Sequence, residues 1–341
     1  MEMSGQKNGK YTLVEVCAGA GGQALGLEAA GFDHVALVEI DAHACQTLRN
    51  NRPAWNVIEA DIKDVRGNKW GDVDLLAGGV PCPPFSIAGK QRGAEDERDL
   101  FPEMLRLVKE CNPRGVMIEN VKGLLGKRFD EYRSTILKRL RRMGYVGEWK
   151  LVNACDFGVP QLRPRSILVA LRKEDAIHWS WPEGDPKSSQ TVGEILYTSM
   201  SANGWPGAKN WASMANTIAP TLVGGSRKHG GADLGPTRAK TAWAELGVDG
   251  IGLADELPNR TFRGVPRLTV AQTALLQGFP EEWLIQGRKT AAYRQVGNAF
   301  PPPVAKAIGE SFVNTWKQAD SARQFAAGLQ NEQPNNFARA L

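Results

Sequence analysis

The stretch Val14–Gly22, VEVCAGAGG, joins a short apolar run to a glycine-rich turn and the start of a helical segment. A parallel strand feeding such a turn sets backbone amides at a helix N-terminus beside the sheet edge, where a nucleotide-like ligand can be held. The same alternation continues outward. From Tyr11 to about Arg172, short apolar runs alternate with amphipathic ones, the pattern of a parallel sheet covered by helices. Strands are predicted at Thr12–Val16, Val35–Glu39, Asn56–Ala60, Val73–Ala77, Gly115–Ile118, Tyr145–Asn153 and Ile167–Leu171. Helices fall between them: Gly22–Ala30 closed by Gly31, Ala42–Asn51 capped by Asp41, Leu100–Cys111 before Pro113, and Glu131–Met143 before Gly144. The fold class is therefore α/β, with a doubly wound, Rossmann-like sheet.

Beyond about Lys173 the periodicity fades, and up to about Val265 the chain is rich in Gly, Pro, Trp, Ser and Asn. This reads as a second, smaller and irregular module. Within it Thr221–Lys240 carries Arg227, Lys228, Arg238 and Lys240 against Asp233, among glycines that let a backbone approach a partner closely. A solvated flexible loop explains that segment equally well when it is taken alone. Helical signals return where Thr269 and Gln272 form a capping box, and again from about Val304 to Trp316. The domains expected are 11–173 for catalysis, 174–265 for substrate recognition and 266–319 returning to the first. The polar stretch 320–341 is expected to be a flexible tail.

Composition narrows the function classes. The 341 residues carry a net charge of only +5 and 42% hydrophobic residues, which fits a globular enzyme and gives little indication of nucleic acid. Five widely spaced cysteines without a C-x-x-C pair, and four histidines without metal spacing, point to reduced thiols and no metal site. The polar start and the lack of a long apolar run predict a cytoplasmic protein without a membrane segment.

Several polar residues fall at predicted strand ends. Glu39 ends the second strand, where a carboxylate can accept from both hydroxyls of a ribose; Asp61 follows the third, where it can take an adenine amino hydrogen. The glycine turn and Glu39 alone would also suit a dinucleotide-binding dehydrogenase, which has no need of Asp61. The fourth strand runs into Gly78-Gly79-Val80-Pro81-Cys82-Pro83-Pro84-Phe85-Ser86, a tight loop that exposes Cys82 at the ligand edge. Glu119, in Glu119-Asn120-Val121, ends the next strand at that edge, where burying an acid is costly without work for it to do. Gln161-Leu162-Arg163-Pro164-Arg165 sets two alternating arginines on one face, although a solvated strand face would read the same.

Taken together and in this order, these motifs, with Arg267-Leu268-Thr269 and Gly297-Asn298, resemble the DNA (cytosine-5)-methyltransferase family, in particular bacterial modification methylases. The resemblance covers about residues 12–310. It implies S-adenosyl-L-methionine as cofactor, held by Cys17, Ala18, Gly19, Gly21, Gly22, Glu39, Ile40, Asp61, Ile62, Pro81 and Asn298. It implies Cys82 as nucleophile with Glu119, Arg163 and Arg165 as the other catalytic groups. It further implies double-stranded DNA as partner, contacted by Ser86, Gln161, Arg227, Lys228 and Arg238, with 174–265 as target recognition domain. A monomer sharing its site with a cognate restriction endonuclease, without a stable complex, is the expected arrangement. Glu15 and Cys17 stand where the family more often has Asp and Phe, and Pro83 where it more often has Gln, implying a missing aromatic contact and a stiffer loop. An RNA substrate and an inactive DNA-binding scaffold remain as competing readings. The recognition module weighs against the first and the intact catalytic set against the second.

Overall fold

The structure, a computed structural model, describes residues 11–81, 99–224 and 231–331, with side chains as far as 328. The strands are β1 (Tyr11–Val16), β2 (Phe32–Glu39), β3 (Val57–Glu59), β4 (Leu75–Gly78), β5 (Gly115–Val121), β6 (Tyr145–Asn153) and β7 (Pro164–Arg172). They form one sheet in the order β3-β2-β1-β4-β5-β7-β6. The first five are parallel, but β7 runs antiparallel to both β5 and β6. The sheet is thus mixed where the sequence pattern suggests parallel. Residues 154–163 between β6 and β7 hold only a short 3-10 turn, Ala154–Phe157, and Gly158 at φ 81°. Without a helical crossover, two adjacent strands can pair only by reversing direction.

The helices of the first part are α1 (Gly22–Ala29), α2 (Ala42–Asn51), α3 (Phe101–Cys111) and α4 (Asp130–Arg142). Asp41 caps α2 as its sequence predicts, its side chain accepting from His43 N and Ala44 N. Strand periodicity sorts the core into two layers. Val14, Leu76, Val116 and Ile118 face α3 and α4, meeting Met104, Leu105, Val108 and Leu140. Their neighbours Leu13, Leu75 and Met117 face the other way, toward Leu27 of α1 and Ile308, Phe312 and Trp316 near the C-terminus.

The stretch 174–265 is more ordered than its composition suggests. Next in chain order come α5 (Lys173–Ala176), α6 (Val192–Ser201), α7 (Ala208–Met214), α8 (Thr237–Glu245), α9 (Val270–Leu276), α10 (Lys289–Asn298) and α11 (Pro302–Asn331). Val192, Leu196, Trp211, Leu222, Trp243 and Leu253 form a separate core, completed by Leu268, Leu276 and Tyr293 from the returning segment. The predicted capping box of Thr269 and Gln272 opens α9. No described helix is long and apolar enough to cross a membrane.

The flexible tail expected from Asp320 is instead the continuation of α11 as far as Asn331. Its polar residues include ion-pair partners: Asp320 meets Arg114 at 2.8 Å and Arg323 at 2.5 Å, while Arg323 also reaches Asp175 at 3.0 Å. α11 lies directly on α1, where a Cβ on Gly26 would fall 2.3 Å from the carbonyl oxygen of Pro302. A methyl group there has no room. Gly26→Ala is expected to lower the free energy of unfolding in urea by about 1–3 kcal/mol, the usual cost of overpacking, despite the better helix propensity of alanine.

Candidate active site and cofactor cleft

The carboxyl ends of β1, β2, β4 and β5 converge on one cavity of about 750 Å³. Nine of the eleven residues expected at a cofactor line it: Cys17, Ala18, Gly19, Glu39, Ile40, Asp61, Ile62, Pro81 and Asn298. The other two, Gly21 and Gly22, are glycines for a different reason. Gly21 has φ 83°, and a Cβ on Gly22 would lie 2.2 Å from the carbonyl oxygen of Phe300. They let the returning segment close against the turn.

Glu39 is held by backbone alone. Its Oε2 accepts from Gly19 N at 2.8 Å, and Oε1 accepts from Ile40 N at 2.9 Å and Asp41 N at 2.8 Å. These bonds fix the carboxylate against the glycine turn while leaving acceptor capacity for a ligand. Asp61 is similarly anchored, accepting from Lys63 N at 2.9 Å. Ile40 stays 57% exposed at the mouth, an apolar face that a flat ring can cover. Lining residues not anticipated include Glu15, Gln23, Leu100, Arg294 and Gln295. Gln23 lies one helical position past the glycine turn and was readable by phasing; Leu100, Arg294 and Gln295 arrive from distant segments with no local signal.

Cys82 and Ser86 lie outside the described residues, but the residues flanking their segment are fixed. Asn120 Nδ2 donates to Val80 O at 2.8 Å, and Leu100 N donates to Pro81 O at 3.3 Å, tying together the two ends of segment 82–98. Cys82 therefore begins one residue beyond a fixed point at the end of β4. Beside that point sits Glu119, which is 9% exposed, with Arg165 Nε at 2.8 Å from its Oε1. A Cβ on Gly79 would lie 3.1 Å from Glu119 Oε2, so the bare backbone lets the loop start beside the carboxyl group. Burial raises the pKa of Glu119, and the guanidinium groups of Arg165 and Arg163 only partly oppose the shift.

Arg163 and Gln161 are not where a contact to substrate would put them. Arg163 is fully buried, and its guanidinium donates to Leu222 O, Gly297 O and Ala299 O, each at 2.8 Å. Burial and the nearby Arg165 act against its charge, while Glu119 supports it. Gln161 is also fully buried, donating to Leu276 O and Gln277 Oε1 while accepting from Leu222 N. Both expectations of direct contact are corrected: these side chains brace the junction between the sheet, the backbone at Leu222 and the end of α10. A motif shows which residues recur together, not which way each one turns. Arg238 is exposed on α8, whereas Arg227 and Lys228 lie outside the described residues.

Burial pushes the Cys45 and Cys111 thiols up to about 12, and it also raises Cys17 and Cys155. For Arg163, truncation would strand buried carbonyls at about 1–3 kcal/mol each. Arg163→Met should therefore lower the free energy of unfolding by roughly 3 kcal/mol or more. Denaturant titration checks this, and a near-neutral result would contradict the bracing role.

Comparison with known proteins agrees with this geometry. The family described as C-5 cytosine-specific DNA methylase matches residues 11–314. The type II methyltransferase M.NaeI of Lentzea aerocolonigenes is 57% identical over 304 residues, spanning 87% of this chain and 73% of the relative. M.NgoMIV of Neisseria gonorrhoeae, also named a type II methyltransferase, is 52% identical over 312 residues, spanning 91% and 99%. Among solved structures, DNMT2 of Spodoptera frugiperda superposes with a TM-score of 0.61 at 17% identity, covering 90% of this chain and 99% of that one, which bears on the fold alone. The chain belongs to the C-5 cytosine-specific DNA methylases and is a DNA cytosine-5 methyltransferase of the bacterial modification kind.

Proposed function

We propose that this enzyme methylates C5 of one cytosine within a short duplex sequence, through a covalent bond from Cys82 to C6 of a base flipped out of the helix. The observation that carries the reading is the buried Glu119–Arg165 pair beside the fixed backbone that precedes Cys82, with Glu119 lining the same cavity as Glu39 and Asp61.

The cavity fits S-adenosyl-L-methionine. It offers two anchored carboxylates spaced along the ends of β2 and β3 for hydroxyl and amino hydrogens, and exposed Ile40 as an apolar wall. Gln23, 4% exposed, lines the same cavity and offers it an amide. When bound, the cofactor supplies an electrophilic methyl group on a sulfonium centre.

The chain's own residues supply the activation. Cytosine C5 is a weak nucleophile until a thiolate adds to C6, which turns C5 into an enamine-like carbon. Cys82 makes that addition. Glu119, whose pKa burial raises, donates to or shares a proton with ring N3 and stabilises the charge arriving there. Arg165 orients Glu119 and presents a guanidinium toward the base oxygen. After methylation a base removes the C5 proton, the electron pair re-forms the C5–C6 double bond, and the Cys82 thiolate leaves. C6 cannot be reached inside stacked duplex, so the base is extruded.

Sequence choice belongs to the module at about 174–265, with Arg227, Lys228 and Arg238 toward DNA. The enzyme works as a cytoplasmic monomer that protects sites cut by a cognate restriction endonuclease, without a stable complex between them; the type II names of its relatives support that pairing. Labelled methyl groups should pass from S-adenosyl-L-methionine into duplex DNA and not into tRNA. Glu119→Gln should slow the transfer by about 10²–10⁴-fold, the usual contribution of a positioned acid or base. Preferential transfer into tRNA would overturn the substrate assignment.

A further inference from the structure

The ten residues that follow Glu119, Asn120–Phe129, carry Lys122, Lys127 and Arg128 and no acid. They leave β5 at the catalytic edge of the sheet and form two 3-10 turns, Lys122–Leu125 and Lys127–Phe129. All three cations are exposed, while Leu124 and Phe129 anchor the turns from beneath at 1% and 4% exposure. Lys122 and Lys127 have no acidic partner among the described residues. The nearest acid along the chain beyond them, Asp130, is taken by Arg133.

The turns are held from inside. Arg133 Nη1 donates to the carbonyl oxygens of Leu124 and Gly126, and Ser166 Oγ donates to Val121 O at 3.0 Å. Gly126 N donates to Gly123 O at 3.1 Å, and Phe129 N to Gly126 O at 2.9 Å. Arg133 is thus used internally, Arg128 lies over the Phe129 ring at 4.8 Å, and Lys122 and Lys127 stand on a preset backbone.

Gly123 has no structural reason to be glycine. Its φ is not positive, and a Cβ built on it meets nothing within 4 Å. Gly126 is also in an ordinary conformation, φ −66° and ψ 149°. What glycine provides at such a position is bare backbone that a partner can approach closely. A surface that merely keeps the protein soluble would need the cations but not the glycine.

We propose that residues 121–129 are a phosphate-binding rim, with Lys122, Lys127 and Arg128 gripping the backbone of substrate DNA on the catalytic side of the extruded base. The inference rests on the duplex-DNA reading above. Lys122 begins only three residues, about 10 Å of chain, from Glu119. A base that enters the Glu119 pocket leaves its own phosphates at this rim, and duplex DNA presents a charge about every 1.7 Å along its axis. Charge complementarity selects the partner and the glycine sets the distance of approach.

Duplex binding, measured by fluorescence anisotropy across a salt series, tests the rim in two variants. The triple change Lys122→Ala, Lys127→Ala, Arg128→Ala should weaken binding and make the log–log salt slope shallower by about 0.9 for each phosphate no longer neutralised. Gly123→Ala should leave the melting temperature unchanged or higher, since alanine restricts the unfolded chain, yet weaken duplex binding several-fold. Calorimetric affinity for S-adenosyl-L-methionine should stay at the wild-type value in both. Wild-type binding that survives both substitutions with the same slope overturns the rim alone. Absence of duplex binding by the wild type overturns the DNA reading and the rim with it.

Discussion

Arg163 donates to carbonyl oxygens of Leu222, Gly297 and Ala299 from a position that solvent does not reach. Those carbonyls belong to the segment after β7 and to the end of α10 on either side of Asn298, which lines the cavity at the sheet edge. Each bond is charge-assisted, and none can be replaced by water once buried. The backbones it gathers are in tight contact: a Cβ on Gly297 would lie 2.2 Å from Gly224 N, and one on Gly224 would lie 2.5 Å from Arg294 O. The chain turns from the catalytic sheet to the second core and back at this junction. Both the cavity and the base of the second core depend on it.

The catalytic edge uses charge in a different way. Glu119 sits at the end of β5, where burial raises its pKa and Arg165 holds its orientation. Burial shifts such a carboxyl group toward its protonated form, a pressure that a solvent-exposed acid does not feel. Asn120, its neighbour, donates to Val80 O at 2.8 Å, so adjacent residues of β5 carry the buried acid and hold the backbone two residues ahead of Cys82 in the chain.

Much of this was legible from residue order. Short apolar runs located all seven strands to within a few residues, because strands covered on both faces are buried along most of their length, as β4 and β5 are. Val14–Gly22, Glu39 and Asp61 marked the cleft because strand ends are where a parallel sheet presents its ligands. Other features were hidden for physical reasons. The reversal of β7 depends on the short path from β6, which composition does not encode. α11 beyond Asp320 reads as polar because its ion-pair partners Arg114 and Asp175 are distant in sequence. Arg163 and Gln161 share a motif with Arg165, yet of the three it is Arg165 that pairs with Glu119. Direction of a side chain is a tertiary property.

Covalent catalysis by Cys82 is the central claim, and its most direct test is DNA carrying 5-fluorocytosine at the target position. Fluorine at C5 cannot leave as a proton does, so the reaction should halt with the methylated base still bonded to Cys82 when S-adenosyl-L-methionine is present. Peptide mapping of the denaturation-resistant complex should place the bond on Cys82, and Cys82→Ala should yield no complex while still binding duplex. A bond mapped to Cys17, Cys45, Cys111 or Cys155, or a complex that persists in the alanine variant, would contradict the account.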